Sequence, residues 1–246
     1  MVSILNNQKS IFHWSGGKDC ALALYKLHQN PAFDIQELWT SLSQEYKRVS
    51  MHGVSENLLD KQALALGLPL KKIFLKEGIK MEDYNSTMSE NYQTAKDKGQ
   101  LHHIFGDIFL EDLKNYREGQ LGKKGLKGVY PLWNLNSHRL VSEFIELGFK
   151  AVVVCIDSRK LDKGFLGRNL DQQFLADLPK EVDCCGENGE FHSFVYDGPI
   201  FKNPIDFKIG QSVFKEYSLA LESKNDCFKE PEMGKAGFWF CDLEES

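Results

Sequence analysis

The stretch that decides the fold is residues 11–24, which read Ile11-Phe12-His13-Trp14-Ser15-Gly16-Gly17-Lys18-Asp19-Cys20-Ala21-Leu22-Ala23-Leu24. An apolar run ends in Ser-Gly-Gly, and a helical pattern then starts at Asp19. That order predicts a β-strand, a tight turn and the N-terminus of a helix.

The predicted turn has the residues needed to hold an anion. Gly16 and Gly17 lack a Cβ, so they can take positive φ values and let a phosphate approach the backbone. The first amides of the helix have no partner within the helix and attract negative charge. Ser15 adds a hydroxyl and Lys18 a positive charge, although Lys18 also fits a solvent-exposed lysine. Asp19 beside a phosphate makes sense when a magnesium ion lies between them; the alternative is an ordinary turn before a helix.

A second motif, residues 185–199, reads CGENGEFHSFVYDGP. Gly186 and Gly189 predict a bent loop that presents Glu187 and Glu190, and His192 lies in the strand pattern that follows. Two carboxylates and a histidine can bind a cation, hold an ammonium ion or move a proton. The spacing also fits a solvated acidic loop, and a Glu-rich set with one His disfavours zinc.

Composition disfavours several classes of protein. The 246 residues carry a net charge of −5, which gives no overall attraction to nucleic acid. The longest apolar run, residues 151–156, is strand-sized, and the N-terminus has no signal pattern, so we expect a cytoplasmic protein with no membrane partner. The six cysteines form no C-x-x-C pair and are expected to be reduced thiols. The second half of the chain is rich in Phe, so a homodimer remains one of the alternatives.

Strand and helix patterns alternate through the first half of the chain. The predicted strands are 10–14, 35–42, 70–75, 101–105 and 129–133; the predicted helices are 19–29, 56–66, 81–99 and 108–117, followed by a flexible loop over 119–128. This alternation predicts a Rossmann-like α/β domain with a parallel sheet over residues 1–133. Residues 134–246 predict a smaller α+β domain, with helices 136–147 and 170–178 and β segments 150–156, 191–196, 205–213, 214–221 and 237–241.

Ligands of parallel sheets bind beyond the carboxyl ends of the strands. Thr40, Ser41, Gly106 and Asp107 follow predicted strands and are therefore expected to line the site. Asp107 also fits a helix N-cap. His52 is a further candidate, and an ordinary loop histidine is an equal alternative for it.

The residues SGGKDC, with Cys20 as the last, resemble the pyrophosphate loop S-G-G-x-D-S of the PP-loop ATPases. Other matching segments are M-H-G-V at 51–54, P-L-W at 131–133, L-G-R at 166–168 and the G-E-x-G-E-F loop followed by D-G-P. Over nearly its whole length the chain thus resembles the diphthine–ammonia ligase family. The resemblance implies a PP-loop ATPase domain of the adenine nucleotide α-hydrolase type, with ATP and Mg²⁺ as cofactors. It also implies an ATP-dependent ligase that turns a carboxylate and ammonium into an amide, with AMP and pyrophosphate as products.

Under this interpretation the candidate residues fall into three groups. The predicted catalytic residues are Asp19, Glu187, Glu190 and His192, and the predicted metal ligand is Asp19. The predicted nucleotide-binding residues are Ser15, Gly16, Gly17, Lys18, Asp19, Cys20, Thr40, Ser41, His52, Gly106 and Asp107.

The acidic loop departs from the family pattern E-G-G-E-[FY]-E, because Asn188 replaces the first Gly and His192 replaces the last Glu. This variant resembles the branch found in bacteria, for which a role in cobalamin salvage has been suggested. The acceptor is therefore left open between diphthine and another carboxylate such as a cobalamin precursor. A PP-loop tRNA-modifying enzyme is disfavoured because the chain lacks C-x-x-C and a basic balance. A non-catalytic nucleotide sensor is disfavoured by the second acidic motif.

Overall fold

The computed structural model describes residues 7–30, 32–50, 52–220 and 233–245. Met51 of the M-H-G-V segment, residue 221 at the end of a predicted strand and Cys227 lie outside the described residues. The elements in chain order are β1 (Gln8–His13), α1 (Lys18–His28), β2 (Phe33–Ser43), α2 (Glu56–Leu66), β3 (Leu70–Leu75), α3 (Met81–Asp97), β4 (His102–Ile104), α4 (Glu111–Gly122), β5 (Lys127–Val129), α5 (Ser137–Glu146), β6 (Lys150–Asp157), a 3₁₀ turn (Lys163–Phe165), α6 (Gln172–Asp177), β7 (Phe191–Asp197), β8 (Phe207–Ala220) and β9 (Met233–Glu245).

The first five strands form a parallel sheet in the order β3-β2-β1-β4-β5. The strand order reverses on either side of β1, so the loop after β1 lies at the topological switch point where α/β sheets bind ligands. Alternating residues of β1 enter different layers: Phe12 packs with α1 and α2, whereas Ile11 packs with α3 and α4. Helices thus cover both faces of this sheet, as its apolar strands require.

The last four strands form an antiparallel sheet in the order β7-β6-β9-β8. Its inner residues, such as Val153 and Phe194, share one continuous core with α1, α2 and α5. A Rossmann-like parallel sheet followed by a smaller α+β unit is therefore confirmed. The boundary after residue 133 stays a prediction; Lys26 of α1 forms an ion pair with Glu143 of α5 across it, at 2.6 Å.

Four predicted segments are wrong in detail. The glycine-rich segment 119–128 is not a loop throughout, because α4 continues to Gly122 and its Leu121 side chain is fully buried. The predicted strand 129–133 is Lys127–Val129 instead, and residues 131–134 form a turn at Pro131, which cannot donate a ladder hydrogen bond. The two segments predicted over 205–221 form the single strand β8 within the described residues.

Candidate functional site

A cavity of about 480 Å³ opens at the carboxyl ends of β1, β2 and β4 and is closed on one side by the acidic loop. It collects twelve of the predicted site residues from both halves of the chain: Ser15, Gly17, Lys18, Asp19, Cys20, Thr40, Ser41, His52, Gly106, Asp107, Glu187 and His192. Gly16 and Glu190 are not part of its lining. The two sequence motifs, about 170 residues apart in the chain, therefore face each other across one space.

The turn after β1 requires a glycine at Gly16. Its φ is +83°, and a Cβ there would lie 2.8 Å from Oε1 of Gln62. The Gly16 carbonyl accepts hydrogen bonds from Nε2 of Gln62 at 3.0 Å and from the amide of Val195 at 2.9 Å. Gly16 thus joins the turn to β7, which fixes the position of the next residues in the cavity.

Helix α1 begins at Lys18, and its N-cap Gly17 has no side chain with which to cap the helix. The amide of Lys18 donates to Oγ of Ser193 on β7 at 3.2 Å. On the other side Gly106 comes close enough that a Cβ would lie 3.0 Å from the amide nitrogen of Cys20. The start of α1 is therefore held between β7 and the end of β4, with its positive dipole end at the cavity.

Lys18 and Asp19 form an ion pair at this helix start, with 2.7 Å between Nζ and Oδ2. Burial opposes the charge on Lys18, whose side chain is only 5% exposed, but the Asp19 carboxylate prevails and raises the lysine pKa. Burial likewise raises the pKa of Asp19, and Lys18 opposes that shift. The pair places opposite charges next to each other, so that an anion can contact the Lys18 ammonium and a cation the Asp19 carboxylate.

Ser15 and Cys20 occupy the inner side of the turn, with 3.3 Å between Oγ and Sγ. Burial raises the pKa of the Cys20 thiol to about 11, so the thiol stays protonated at neutral pH. Cys20 therefore differs from the serine of the PP-loop pattern without adding a thiolate charge.

The Thr40 hydroxyl is already used within the fold, because its Oγ1 donates a hydrogen bond to the Trp14 carbonyl at 2.6 Å.

Asp107 forms an ion pair with Arg117 of α4. The alternative role of Asp107 as a helix cap is wrong, since the N-cap of α4 is Leu110.

His52 and His192 meet across the cavity wall, with 4.4 Å between ring centroids. Burial lowers the pKa of His52 to about 4, against a hydrogen bond to the Ser193 backbone that favours the charged form. Burial also holds the pKa of His192 well below its usual value, with further contributions from His52 and Lys18. Both rings are therefore neutral at pH 7, and Nδ1 of His52 is buried with no hydrogen-bond partner in the described part of the chain.

Glu187 reaches from the acidic loop to the segment before α4. Its Oε1 accepts hydrogen bonds from the amides of Ile108 at 2.8 Å and Phe109 at 3.5 Å. Burial raises the pKa of this carboxyl to about 7, and the charge of Asp19 acts in the same direction. Glu187 can therefore exist in either protonation state at neutral pH, which suits a group that moves protons.

Glu190 is 3% exposed and directs its carboxylate into its own loop. The carboxylate accepts hydrogen bonds from the amides of Asp183 at 3.2 Å and Asn188 at 3.0 Å, and from Nδ2 of Asn188 at 3.1 Å. These contacts shape the loop that carries Glu187. A catalytic role for Glu190 itself stays a prediction.

Sequence reasoning missed an aromatic end of the cavity, formed on the α3–α4 side of the sheet. His13 stacks on Phe105 with 4.2 Å between centroids, and Trp39 lies parallel to Tyr92 at 6.2 Å. Nε1 of Trp39 is buried and has no partner among the described residues, and the same holds for Nε2 of His103, which lies behind Trp39 outside the cavity lining. The position of Trp39 directly before Thr40, at the end of a predicted strand, was the one sequence signal for this end of the cavity. The other rings come from separate elements, and no sequence pattern linked them to the site.

The sequence patterns gave no role to Arg117, which lies at the end of the predicted helix 108–117. It lines the cavity, pairs with Asp107 and lies 4.5 Å from the centroid of the Phe105 ring.

A glycine turn into a helix at the switch point of a parallel sheet defines an α/β protein with an anion-binding site. Family models agree on a more specific assignment: the diphthamide synthase N-terminal domain matches residues 8–128, and the diphthamide synthase C-terminal domain matches residues 136–224. The chain belongs to the diphthamide synthase family.

Curated relatives carry the name diphthine–ammonia ligase. The human protein is 29% identical over 171 residues, which cover 62% of this chain and 62% of the human one. The zebrafish (Danio rerio) protein is 28% identical over 213 residues, covering 78% of this chain and 83% of its own. The chain thus spans about three fifths of the length of the human relative that it matches.

A solved structure, the U34-tRNA thiolase NcsA from Methanococcus maripaludis with its [4Fe-4S] cluster, covers 60% of this chain and 61% of its own. The sequence identity is 16% and the TM-score 0.36, a likeness too small to support a functional conclusion. In the described part of the chain, no helix has both the length and the apolarity needed to cross a bilayer.

Proposed function

We propose that this protein is an ATP-dependent amide ligase that adenylates a carboxylate and transfers ammonia to it. The observation that carries the proposal is the meeting of the Lys18–Asp19 pair with Glu187 in one cavity. One motif offers a site for phosphates, and the other offers a carboxyl group able to move protons. The names of the curated relatives support the same chemistry.

The cavity has two ends that suit the two ends of ATP. The aromatic end can sandwich a base, and Nε1 of Trp39, a lining residue without a hydrogen-bond partner among the described residues, can donate to its polar edge. The opposite end has the N-terminus of α1, the Lys18 ammonium and the Gly17 backbone, which suit phosphate oxygens. A nucleotide lying between them would bring its α-phosphate near the acidic loop.

Magnesium is proposed as the partner of the phosphates. Within the described residues no group of three or more His, Cys, Asp or Glu side chains could hold a metal ion by itself. That fits Mg²⁺, which is usually held by one or two carboxylates together with substrate phosphates. Asp19, with a side chain 27% exposed, is the carboxylate best placed to contribute. When bound, the ion would neutralise charge that develops on the departing pyrophosphate.

The proposed reaction has two steps. An oxygen of the acceptor carboxylate attacks the α-phosphorus of ATP, and the bond to the β-phosphate oxygen breaks to release pyrophosphate. Ammonia then attacks the acyl carbon, and AMP leaves with the former carboxylate oxygen. Summed over both steps, carboxylate, ATP and ammonium give amide, AMP, pyrophosphate and one proton. Lys18 and the α1 amides would stabilise the pyrophosphate as its charge grows.

Ammonium must lose a proton before its nitrogen can attack. Glu187 is the proposed acceptor of that proton, since a carboxyl with a pKa of about 7 is largely ionised just above neutrality. The neutral rings of His52 and His192 add no positive charge there and leave Nδ1 of His52 free to accept a hydrogen bond from the nitrogen nucleophile. Because His192 stands where the family pattern has a carboxylate, an anionic acceptor would meet less repulsion in this chain.

Isotope exchange between pyrophosphate and ATP tests the adenylation step. With a suitable acid and no ammonium, radiolabelled pyrophosphate should enter ATP, because the first step is reversible and the second cannot proceed. Exchange that is the same with and without any acid would contradict adenylation of a carboxylate. A Lys18→Met variant should lose exchange, whereas Lys26→Met on the same helix, outside the cavity lining, should retain it.

A further inference from the structure

A second cavity of about 470 Å³ lies between the segment that follows β2 and the strands β8 and β9. The reaction proposed above does not use it. Its volume falls in the range of sites for small organic ligands, roughly 300–1,000 Å³. Its walls come from both halves of the chain, so it exists only when the two sheets are packed together.

Aromatic rings form one part of the walls of this second cavity. They include Tyr46 from the first half of the chain and Tyr217 and Phe240 from the antiparallel sheet. Tyr217 packs edge-on against Phe238, with 5.8 Å between centroids, which holds its ring in place. A Cβ on Gly53, whose φ is +71°, would lie 2.9 Å from the Phe240 ring, so the loop and the strand are in close contact. Rigid rings of this kind bind an apolar or aromatic body.

The charges around the cavity favour an anion. Arg48 donates to the Gly53 carbonyl at 2.8 Å and pairs with Asp242 at 2.7 Å, so the Asp242 carboxylate is already engaged. The Glu77 carboxylate acts on the Tyr46 hydroxyl and raises its pKa. The Lys215 ammonium lies 4.2 Å from the centre of the Tyr46 ring and forms no ion pair within the described residues. Lys215 and Lys76 are therefore the two lining lysines without an ion pair in the described part of the chain, and Lys215 is the one beside the Tyr46 ring.

The two cavities share a wall. Val49 and Ser50 line both of them, while His52 faces the first cavity and Gly53 the second. A molecule in the second cavity would therefore lie beside the loop that also lines the first cavity. That proximity connects the unassigned cavity to the proposed chemistry.

We propose that the second cavity binds the body of the acceptor, a small carboxylic acid with an aromatic or apolar ring system and a second anionic group. Lys215 contacts that second anion, the rings of Tyr46, Tyr217 and Phe240 contact the body, and the reacting carboxyl is directed toward Val49 and Ser50, the residues that also line the first cavity. The assignment to an acceptor rests on the proposed function. The proposal that the cavity binds an apolar anion does not depend on the proposed function.

Fluorescence titration with 8-anilinonaphthalene-1-sulfonate tests the site directly, because this probe combines aromatic rings with one anionic group. Lys215→Gln should weaken its binding at least about fivefold, the worth of one ion pair of roughly 1 kcal/mol. Lys208→Gln is the matched control, since Lys208 is an exposed lysine of the same strand outside the cavity lining. ATP should not displace the probe from the wild-type protein.

Equal binding by the two lysine variants would overturn the proposal, because the probe would then not depend on Lys215. Displacement of the probe by ATP would overturn it too, since the probe would be in the first cavity. Neither readout involves turnover, so a protein that binds the probe as expected but never forms AMP would refute the ligase and leave the anion site standing.

Discussion

The rings of His52 and His192 lie 4.4 Å apart although they come from different halves of the chain, one from the loop after β2 and the other from β7. Neither half alone would bring them together. Their contact, together with the bond from the Lys18 amide to Ser193, closes the candidate site only when the two halves of the chain are packed together. Stability and site geometry should therefore be lost together.

The half-buried pair of His52 and His192 should make the fold sensitive to acid. The pKa of His52 is lowered by burial from its usual 6.5 to about 4, so the unfolded chain binds a proton more readily between those values. Stability is then fully present above about pH 6.5 and is lost as the pH falls toward 4, by about 2 kcal/mol at pH 5 for this group. His52→Gln should flatten the decrease in unfolding free energy, measured with urea at several pH values. His138→Gln, at an exposed position on α5, should leave it unchanged.

Asp19→Asn should remove pyrophosphate release while leaving the fold intact. The substitution keeps the size of the side chain but removes the charge that pairs with Lys18 and that is proposed to contact magnesium. We expect turnover to fall at least about a hundredfold, a typical effect of removing electrostatic stabilisation. The measurement is pyrophosphate release at saturating ATP, with circular dichroism to check folding. Asp112→Asn, in the first turn of α4 and outside the cavity, is the control; undiminished turnover in folded Asp19→Asn would contradict the role.

Glu187→Gln should change the pH dependence of amide formation. Burial raises the pKa of Glu187 to about 7, so its carboxylate form accumulates above that pH and the wild-type rate should rise from pH 6 to 8. The variant should be about a hundredfold slower and should lose that rise, because general-base catalysis typically contributes at least that factor. Glu181→Gln, at an exposed position a few residues earlier, should keep both the rate and the profile. An unchanged profile in Glu187→Gln would assign the proton transfer to another group.

Gly16→Ala should destabilise the protein and weaken nucleotide binding. The new Cβ would lie 2.8 Å from Oε1 of Gln62 in a backbone with φ of +83°, and it would disturb the bonds from Gln62 and Val195. We expect a loss of about 1–3 kcal/mol in unfolding free energy. Gly99→Ala isolates the backbone effect, because Gly99 has a similar φ of +74° but open space around it. Equal losses in both variants would mean that the contact with Gln62 is unimportant.

The sequence predicted the main features of the fold because they depend on local patterns. Strand, glycine turn and helix follow one another within residues 11–24, and alternation of strands with helices implies a parallel sheet. The predicted boundaries of helices and strands were wrong where tertiary packing outweighed a local sequence signal. At Gly119 and Gly122 the glycines suggested a loop, but burial of Leu121 extends α4 through them.

Residues of the candidate site could be predicted only where they stand within a single sequence motif. Lys18, Asp19 and Glu187 stand in recognisable motifs and do line the cavity. The chain gives no local sign that Arg117 would turn from its helix toward Asp107, or that His13, Phe105 and Tyr92 would meet. The inward direction of Glu190 follows from three hydrogen bonds within its loop, which depend on a backbone path that spacing alone does not reveal.

Phosphorus NMR of the products formed from ATP, ammonium and a panel of carboxylic acids tests the proposed ligase most directly. The panel should include diphthine-bearing elongation factor 2 and corrinoid carboxylates. We predict AMP and pyrophosphate only when ammonium and one particular acid are both present, with one amide formed for each AMP. ADP and orthophosphate as products, or AMP formed at the same rate without acid and ammonium, would contradict the proposed function.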